Sequence, residues 1–87
     1  MKILKFYADW CQPCKALSQF LEASKDLVPY PIEEINIEKD MDSAIKYGVR
    51  SVPTMVLLDD DNNVVRKNIG VIMEDSKLLE FLKKESL

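Results

Sequence analysis

Apolar residues occupy Ile3, Leu4, Phe6, Tyr7 and Ala8, a run interrupted only by Lys5. A short, dense stretch of this kind predicts a central strand over Lys2–Ala8. The spacing then changes. Leu17, Phe20, Leu21, Leu27 and Val28 recur at helical intervals, while Ser18, Gln19, Glu22 and Lys25 fall on the other faces. Pro13 sits where a helix's first turn tolerates it, and Pro29-Tyr30-Pro31 stops the helix. A second strand is predicted over Ile32–Ile37, with Ile35 and Ile37 on one face and Glu34 and Asn36 on the other. Asp40 or Asp42 can cap a short helix that buries Met41, Ala44 and Ile45 and ends at Gly48. Thr54–Leu58 and Val64–Ile69 read as a hairpin around the polar turn Asp59-Asp60-Asp61-Asn62-Asn63, and Gly70 closes it. A last helix is predicted over Asp75–Lys84, with Leu78, Leu79 and Leu82 inward, acids early and lysines late.

The order is therefore β-α-β-α-β-β-α. Two strands joined through a helix pair in parallel with a right-handed crossover, and the hairpin adds antiparallel pairs. The expected fold is α/β: a mixed four-stranded sheet with helices on both faces. A chain of 87 residues supports one core, so a single domain over 1–87 is expected. No linker, repeat or low-complexity tract breaks it.

Composition narrows the chemistry. The chain is 47% hydrophobic and 31% charged, with a formal net charge of −3 and scattered Lys and Arg, which argues against a nucleic-acid partner. Nothing resembles a membrane span. Met1-Lys2-Ile3-Leu4-Lys5 carries charges where a signal peptide needs an apolar run, so the cytoplasm is the expected compartment. A monomer is the expected state. There is no histidine, which removes Ser-His and Cys-His catalysis and any imidazole metal site. Asp59-Asp60-Asp61 lacks the alternation, central glycine and distal glutamate of a calcium loop and reads as a solvated tip. The pairs Arg66-Lys67 and Lys83-Lys84 read as solvated faces.

What remains is Trp10-Cys11-Gln12-Pro13-Cys14-Lys15, which holds both cysteines of the chain. A thiol at the first turn of a helix meets unpaired backbone N–H groups and the positive end of the helix dipole, and both favour thiolate. Only the thiolate attacks disulfides. Cys11 is the expected nucleophile and Cys14, one turn further in, the resolving thiol. Three other readings compete: buried small hydrophobes, a metal-handling pair, and a docking module whose thiols stay idle. Two cysteines without histidine cannot close an all-cysteine tetrahedral zinc site in one chain; such a site would need carboxylate ligands or a dimer, and no metal is expected. Trp10 beside a reactive thiol reads as partly exposed substrate surface, and Phe6 and Tyr7 as core or near-core.

These residues resemble the thioredoxin family. Trp10-Cys11-Gln12-Pro13-Cys14-Lys15 is similar to its W-C-x-P-C-K motif, preceded by Phe6-Tyr7-Ala8. Tyr47-Gly48-Val49-Arg50-Ser51-Val52-Pro53-Thr54 is similar to its second signature, in which the proline is cis and packs against the cysteines. Gly70 and the helix ending Leu79-Glu80-Phe81-Leu82 also fit, so the resemblance spans the chain. It implies a thioredoxin-like fold and a protein-disulfide reductase that needs no cofactor beyond a redox-active Cys11–Cys14 disulfide. Cys11 attacks a protein disulfide, and Cys14 resolves the mixed disulfide. The resemblance also implies that Trp10, Pro13, Val52, Pro53 and Gly70 line a docking groove, with the backbone at Val52 pairing with substrate. A thioredoxin reductase is the implied electron donor.

Four departures qualify the resemblance. It begins at the family's second strand, giving a compact core like that of glutaredoxins. Gln19 replaces the helix proline of the family. Lys5 stands where the family usually has a buried Asp, and Glu34 where its Lys partner stands, so the pair is present with charges exchanged. Three readings follow: Glu34 handles the proton of Cys14 while Lys5 holds its charge, or the two form a structural ion pair, or Lys5 snorkels to the surface. Finally, Gly70-Val71-Ile72-Met73-Glu74-Asp75 lacks the second glycine of a glutathione patch. That favours protein substrates, with a glutathione-linked reductase or a non-catalytic docking module as the alternatives.

Overall fold

The computed structural model describes residues 1–84. The last three positions of the expected 1–87 domain lie outside the described residues. Seven main elements follow the order read from the sequence: β1 (Lys2–Tyr7), α1 (Gln12–Ala23), β2 (Ile32–Asn36), α2 (Met41–Lys46), β3 (Thr54–Leu58), β4 (Val64–Ile69) and α3 (Asp75–Phe81). The strands form one sheet in the order β2-β1-β3-β4. β1 pairs in parallel with β2, and β3 pairs antiparallel with β1 and β4.

Alternation along β1 and β3 splits the core in two. Ile3, Met55 and Leu57 face α1 and α3, meeting Leu17, Leu21, Leu78, Phe81 and Leu82. Leu4, Phe6, Val56 and Leu58 face the other way and meet Ile35, Ala44 and the half-buried Tyr47 and Val49. All of β3 is buried because helices cover both faces at the middle of the sheet.

Five local expectations are corrected. α1 ends at Ala23, and Leu27 belongs to a separate 3-10 turn, Lys25–Leu27, with Val28 just after it. The apolar spacing continues, but the hydrogen-bond ladder does not. β2 stops at Asn36, which is buried and whose side-chain oxygen accepts the Glu38 N–H at 2.9 Å, turning the chain. Asp40 caps α2 by accepting the Ser43 N–H, yet only Ala44 is buried there, while Met41 and Ile45 are 63% and 74% exposed. A helix this short turns one narrow stripe to the sheet. α3 ends at Phe81 rather than Lys84, and Phe81 is buried in place of Leu79. Arg66 closes that end, donating from Nη1 to the carbonyls of Phe81 and Lys83 at 2.8 Å each. Arg66 is thus half-buried and engaged rather than part of a solvated face, and Lys67 donates to the carbonyls of Tyr47 and Gly48 at 3.0 Å each.

Candidate active site

The chain leaves β1 at Tyr7 and enters α1 at Gln12, and Cys11 is the residue that caps the helix. Its backbone is extended (φ −88°, ψ 106°), and its Sγ accepts the Cys14 N–H at 3.1 Å. The Cys11 N–H in turn donates to the Ala8 carbonyl at 3.1 Å, which folds the chain tightly between strand and helix. Pro13 lies in the helix's first turn, where no N–H is needed. A sulfur in this position takes the place of the Ser, Thr or Asp oxygen that usually caps a helix, and a thiolate there would meet the positive end of the dipole.

Cys11 and Cys14 are joined in a disulfide, with Cα atoms 5.3 Å apart. Both cysteines are only 3% exposed. Around them pack Ala8, Tyr7, Ile37 and Val52. Val52 comes from the loop before β3, and the Val52–Pro53 peptide is cis. Pro53 is buried, and its carbonyl accepts the Gly70 N–H at 2.9 Å, which ties the end of β4 to this loop. Thr54 fixes the loop from the other side through Oγ1 to the Ser51 carbonyl at 2.8 Å. Gly70 has φ +99°, a backbone conformation that suits glycine, and nothing stands within 4 Å of where a Cβ would be. Trp10, at 64% exposure, is a free indole beside the disulfide.

A cleft of about 500 Å³ opens next to Cys14, lined by Tyr7, Ala8, Asp9, Lys15, Ser18, Gln19 and Glu34. Below it lies a smaller cleft of about 260 Å³, where Lys5 joins Ser18 and Glu34. Lys5 and Glu34 are directly paired across β1 and β2, with Nζ–Oε1 at 2.7 Å. The Lys5 side chain is 4% exposed and that of Glu34 58%. Lys5 therefore does not snorkel to the surface; the carboxylate leans in to meet it. The same ammonium donates a hydrogen bond to Ser18 Oγ.

Of the residues singled out in the sequence, Cys11, Cys14 and Val52 share one cluster, and Pro53 and Gly70 are joined by a hydrogen bond beside it. Lys5 and Glu34 reach the same region from below, through the clefts. Ser18, by sequence no more than part of a polar helix face, joins them. Its position one turn after Cys14 was the available signal, since residues four apart lie over one another on a helix.

Residues 1–84 match the family model for thioredoxin. The chain belongs to the thioredoxin family. It is 37% identical over 75 residues to the thioredoxin of Chlamydia muridarum, covering 85% of this chain and 72% of that one. Against the thioredoxin of Pseudomonas aeruginosa it is 34% identical over 82 residues, covering 92% and 74%. Among solved structures, a mutant thioredoxin from Halobacterium salinarum superposes with a TM-score of 0.79 at 31% identity, covering 92% of this chain and 69% of that one. With these relatives and the Cys11–Cys14 disulfide, this chain is a thiol–disulfide oxidoreductase, and its enzymatic class is protein-disulfide reductase. Neither a glutathione-linked reductase nor an idle docking module is favoured. Thioredoxins act through the redox-active disulfide itself, on protein disulfides and with reductases as partners. No helix among the described residues is long and apolar enough to cross a membrane.

Proposed function

We propose that this protein reduces protein disulfides in the cytoplasm as a monomeric single domain, recharged by a thioredoxin reductase. Cys11 is the nucleophile. In the reduced protein its thiolate attacks one sulfur of a substrate disulfide, the other substrate sulfur leaves with the electron pair, and a mixed disulfide forms. Cys14 then attacks Cys11 Sγ and releases the second substrate thiolate, leaving Cys11–Cys14 oxidised. The observation that carries this assignment is the hydrogen bond from the Cys14 N–H to Cys11 Sγ, which favours negative charge on that sulfur.

Trp10, Pro13, Val52, Pro53 and Gly70 form the docking surface, with Val52 offering its backbone to an extended substrate segment. Glu34 receives the proton that Cys14 gives up, and Lys5 holds that carboxylate in place through the 2.7 Å ion pair. The common cleft of Cys14 and Glu34 supports this reading.

The test is reduction of a disulfide-bonded protein with dithiothreitol as the terminal reductant. Cys11→Ser should abolish catalysis. Cys14→Ser should accumulate a mixed disulfide through Cys11. Retained turnover by Cys11→Ser, or an adduct on Cys14 in place of Cys11, would overturn the assignment.

A further inference from the structure

The two charges beside the active site differ in how well water screens them. The Glu34 side chain is 58% exposed and that of Lys5 4%. Solvent weakens the field of the carboxylate much more than that of the ammonium. The net field felt from inside the fold is therefore positive, even though the pair is formally neutral.

Hydrogen-bond polarity gives that field a direction. An ammonium can only donate, so Ser18 Oγ must accept from Lys5. The hydroxyl keeps its own proton to donate, and no other protein partner takes it among the described residues. Ser18 lies one turn beyond Cys14 on α1, and both line the cleft of about 500 Å³. Of the α1 residues that line this cleft, Cys14, Lys15, Ser18 and Gln19, Cys14 is the one that gains a negative charge once the disulfide is reduced.

We propose that Lys5 and Ser18 are positioning residues for the resolving thiol: the buried ammonium, acting through the Ser18 hydroxyl, holds the Cys14 thiolate and shifts the Cys11–Cys14 couple toward its reduced form. This rests on Cys14 being the resolving thiol. The step balances simply. Cys14 loses its proton to the Glu34 carboxylate, which passes it to water. The thiolate attacks Cys11 Sγ, the Cys11–substrate S–S bond breaks, and the electron pair leaves on the substrate sulfur. The dithiol supplies two electrons in all. Lys5 and Ser18 keep their protons throughout.

Other charged or titratable groups face this thiol. Tyr7 comes from β1, with its ring centroid 5.9 Å from Lys5 Nζ; Asp9 comes from the turn, Lys15 from α1 and Glu34 from β2, while Glu22 lines the lower cleft. Asp9, Lys15, Glu22 and Glu34 are exposed, so Lys5 is the one charged group in the set that solvent does not screen.

The experiment has two readouts. In a Cys11→Ser background, Cys14 is titrated alone by its ultraviolet thiolate absorbance. In the wild-type background, the midpoint potential is measured against a dithiol buffer across a pH series, following Trp10 fluorescence. Lys5→Met should make Cys14 hold its proton about tenfold more tightly. It should also make the couple more reducing, by about 30 mV for a tenfold change in equilibrium constant. The sign fixes the pH profile. The gap vanishes at pH values where Cys14 is protonated in both proteins, and opens as pH rises through the wild-type titration. Ser18→Ala should move both readouts the same way by a smaller amount, and it decides the matter if Lys5→Met does not fold. Titrations and potentials of Ser18→Ala that superimpose on those of the parent, with Lys5→Met also superimposing where it folds, overturn the proposal. Failure of Cys14→Ser to accumulate a mixed disulfide would instead remove the resolving role, and the titration of Cys14 is read independently of it.

Discussion

Arg66 and Lys67 are neighbours on β4, and they send their charges to opposite faces of the sheet, each to the C-terminal carbonyls of a different helix. Arg66 reaches Phe81 and Lys83 at the end of α3, while Lys67 reaches Tyr47 and Gly48 at the end of α2. Alternation along the strand makes this division, and each cation meets the negative end of a helix dipole. One edge strand thus anchors helices on both faces.

Arg66→Ala should destabilise the protein by about 1–3 kcal/mol, since it removes charge-assisted hydrogen bonds from a half-buried group. Lys67→Ala, at an exposed position, should lose about 0.5–1 kcal/mol. Urea denaturation with an unchanged slope checks both. Equal losses at the two positions would contradict the difference in burial.

The Lys5–Glu34 pair is expected to respond asymmetrically. Glu34→Ala leaves the buried ammonium with only the Ser18 hydroxyl and the Tyr7 ring and should lose about 2–3 kcal/mol. Lys5→Met replaces the buried cation with an apolar chain of similar length and releases Glu34 into water, so its loss should stay below about 1.5 kcal/mol. Chemical denaturation of the two variants side by side decides the order, and a larger loss in Lys5→Met would refute it.

On α2, Ile45→Ser should change stability by no more than about 0.5 kcal/mol, because the side chain is exposed. Ala44→Leu, one position earlier, should lose about 1–3 kcal/mol by overpacking against Leu4, Phe6 and Ile35. Thermal melts of the pair test this directly.

That contrast shows where sequence reading ends. Periodicity tells which side chains share a face, but not whether the neighbouring layer is wide enough to cover it; Met41 and Ile45 lie beyond the reach of the sheet. The strands and the hairpin were legible because their alternation and turn residues are local. Cys11 and Cys14 stand out because their two-residue spacing falls at the start of α1, whereas the cis Pro53 was signalled only by the family resemblance. The pairing of Lys5 with Glu34 followed from resemblance, and the register of β1 on β2 places them opposite. Which of the two is buried, and the part of Ser18, depended on how α1 lies over the sheet. No local pattern records that.

Acid should weaken the fold through three carboxylates held below their ordinary range. The Ser43 hydroxyl and then its N–H lower Asp40, the N-terminal amine lowers Asp60 through a hydrogen bond and its charge, and Lys83 does the same for Glu80. A carboxyl that ionises more readily in the folded state contributes stability that is full above its unfolded value. Those ordinary values are 3.8 for the aspartates and 4.5 for Glu80. The contribution is lost as pH falls through the lower folded values. Stability should therefore stay level as pH drops from neutrality to the ordinary carboxylate range and decline below it. Asp40→Asn should be less stable than the parent at neutral pH, with the gap narrowing in acid, because protonation removes from the parent what the substitution has already removed. Thermal melts of both proteins from neutral to acid pH measure it, and a gap that widens in acid would show that Asp40 acts other than as an ionised cap.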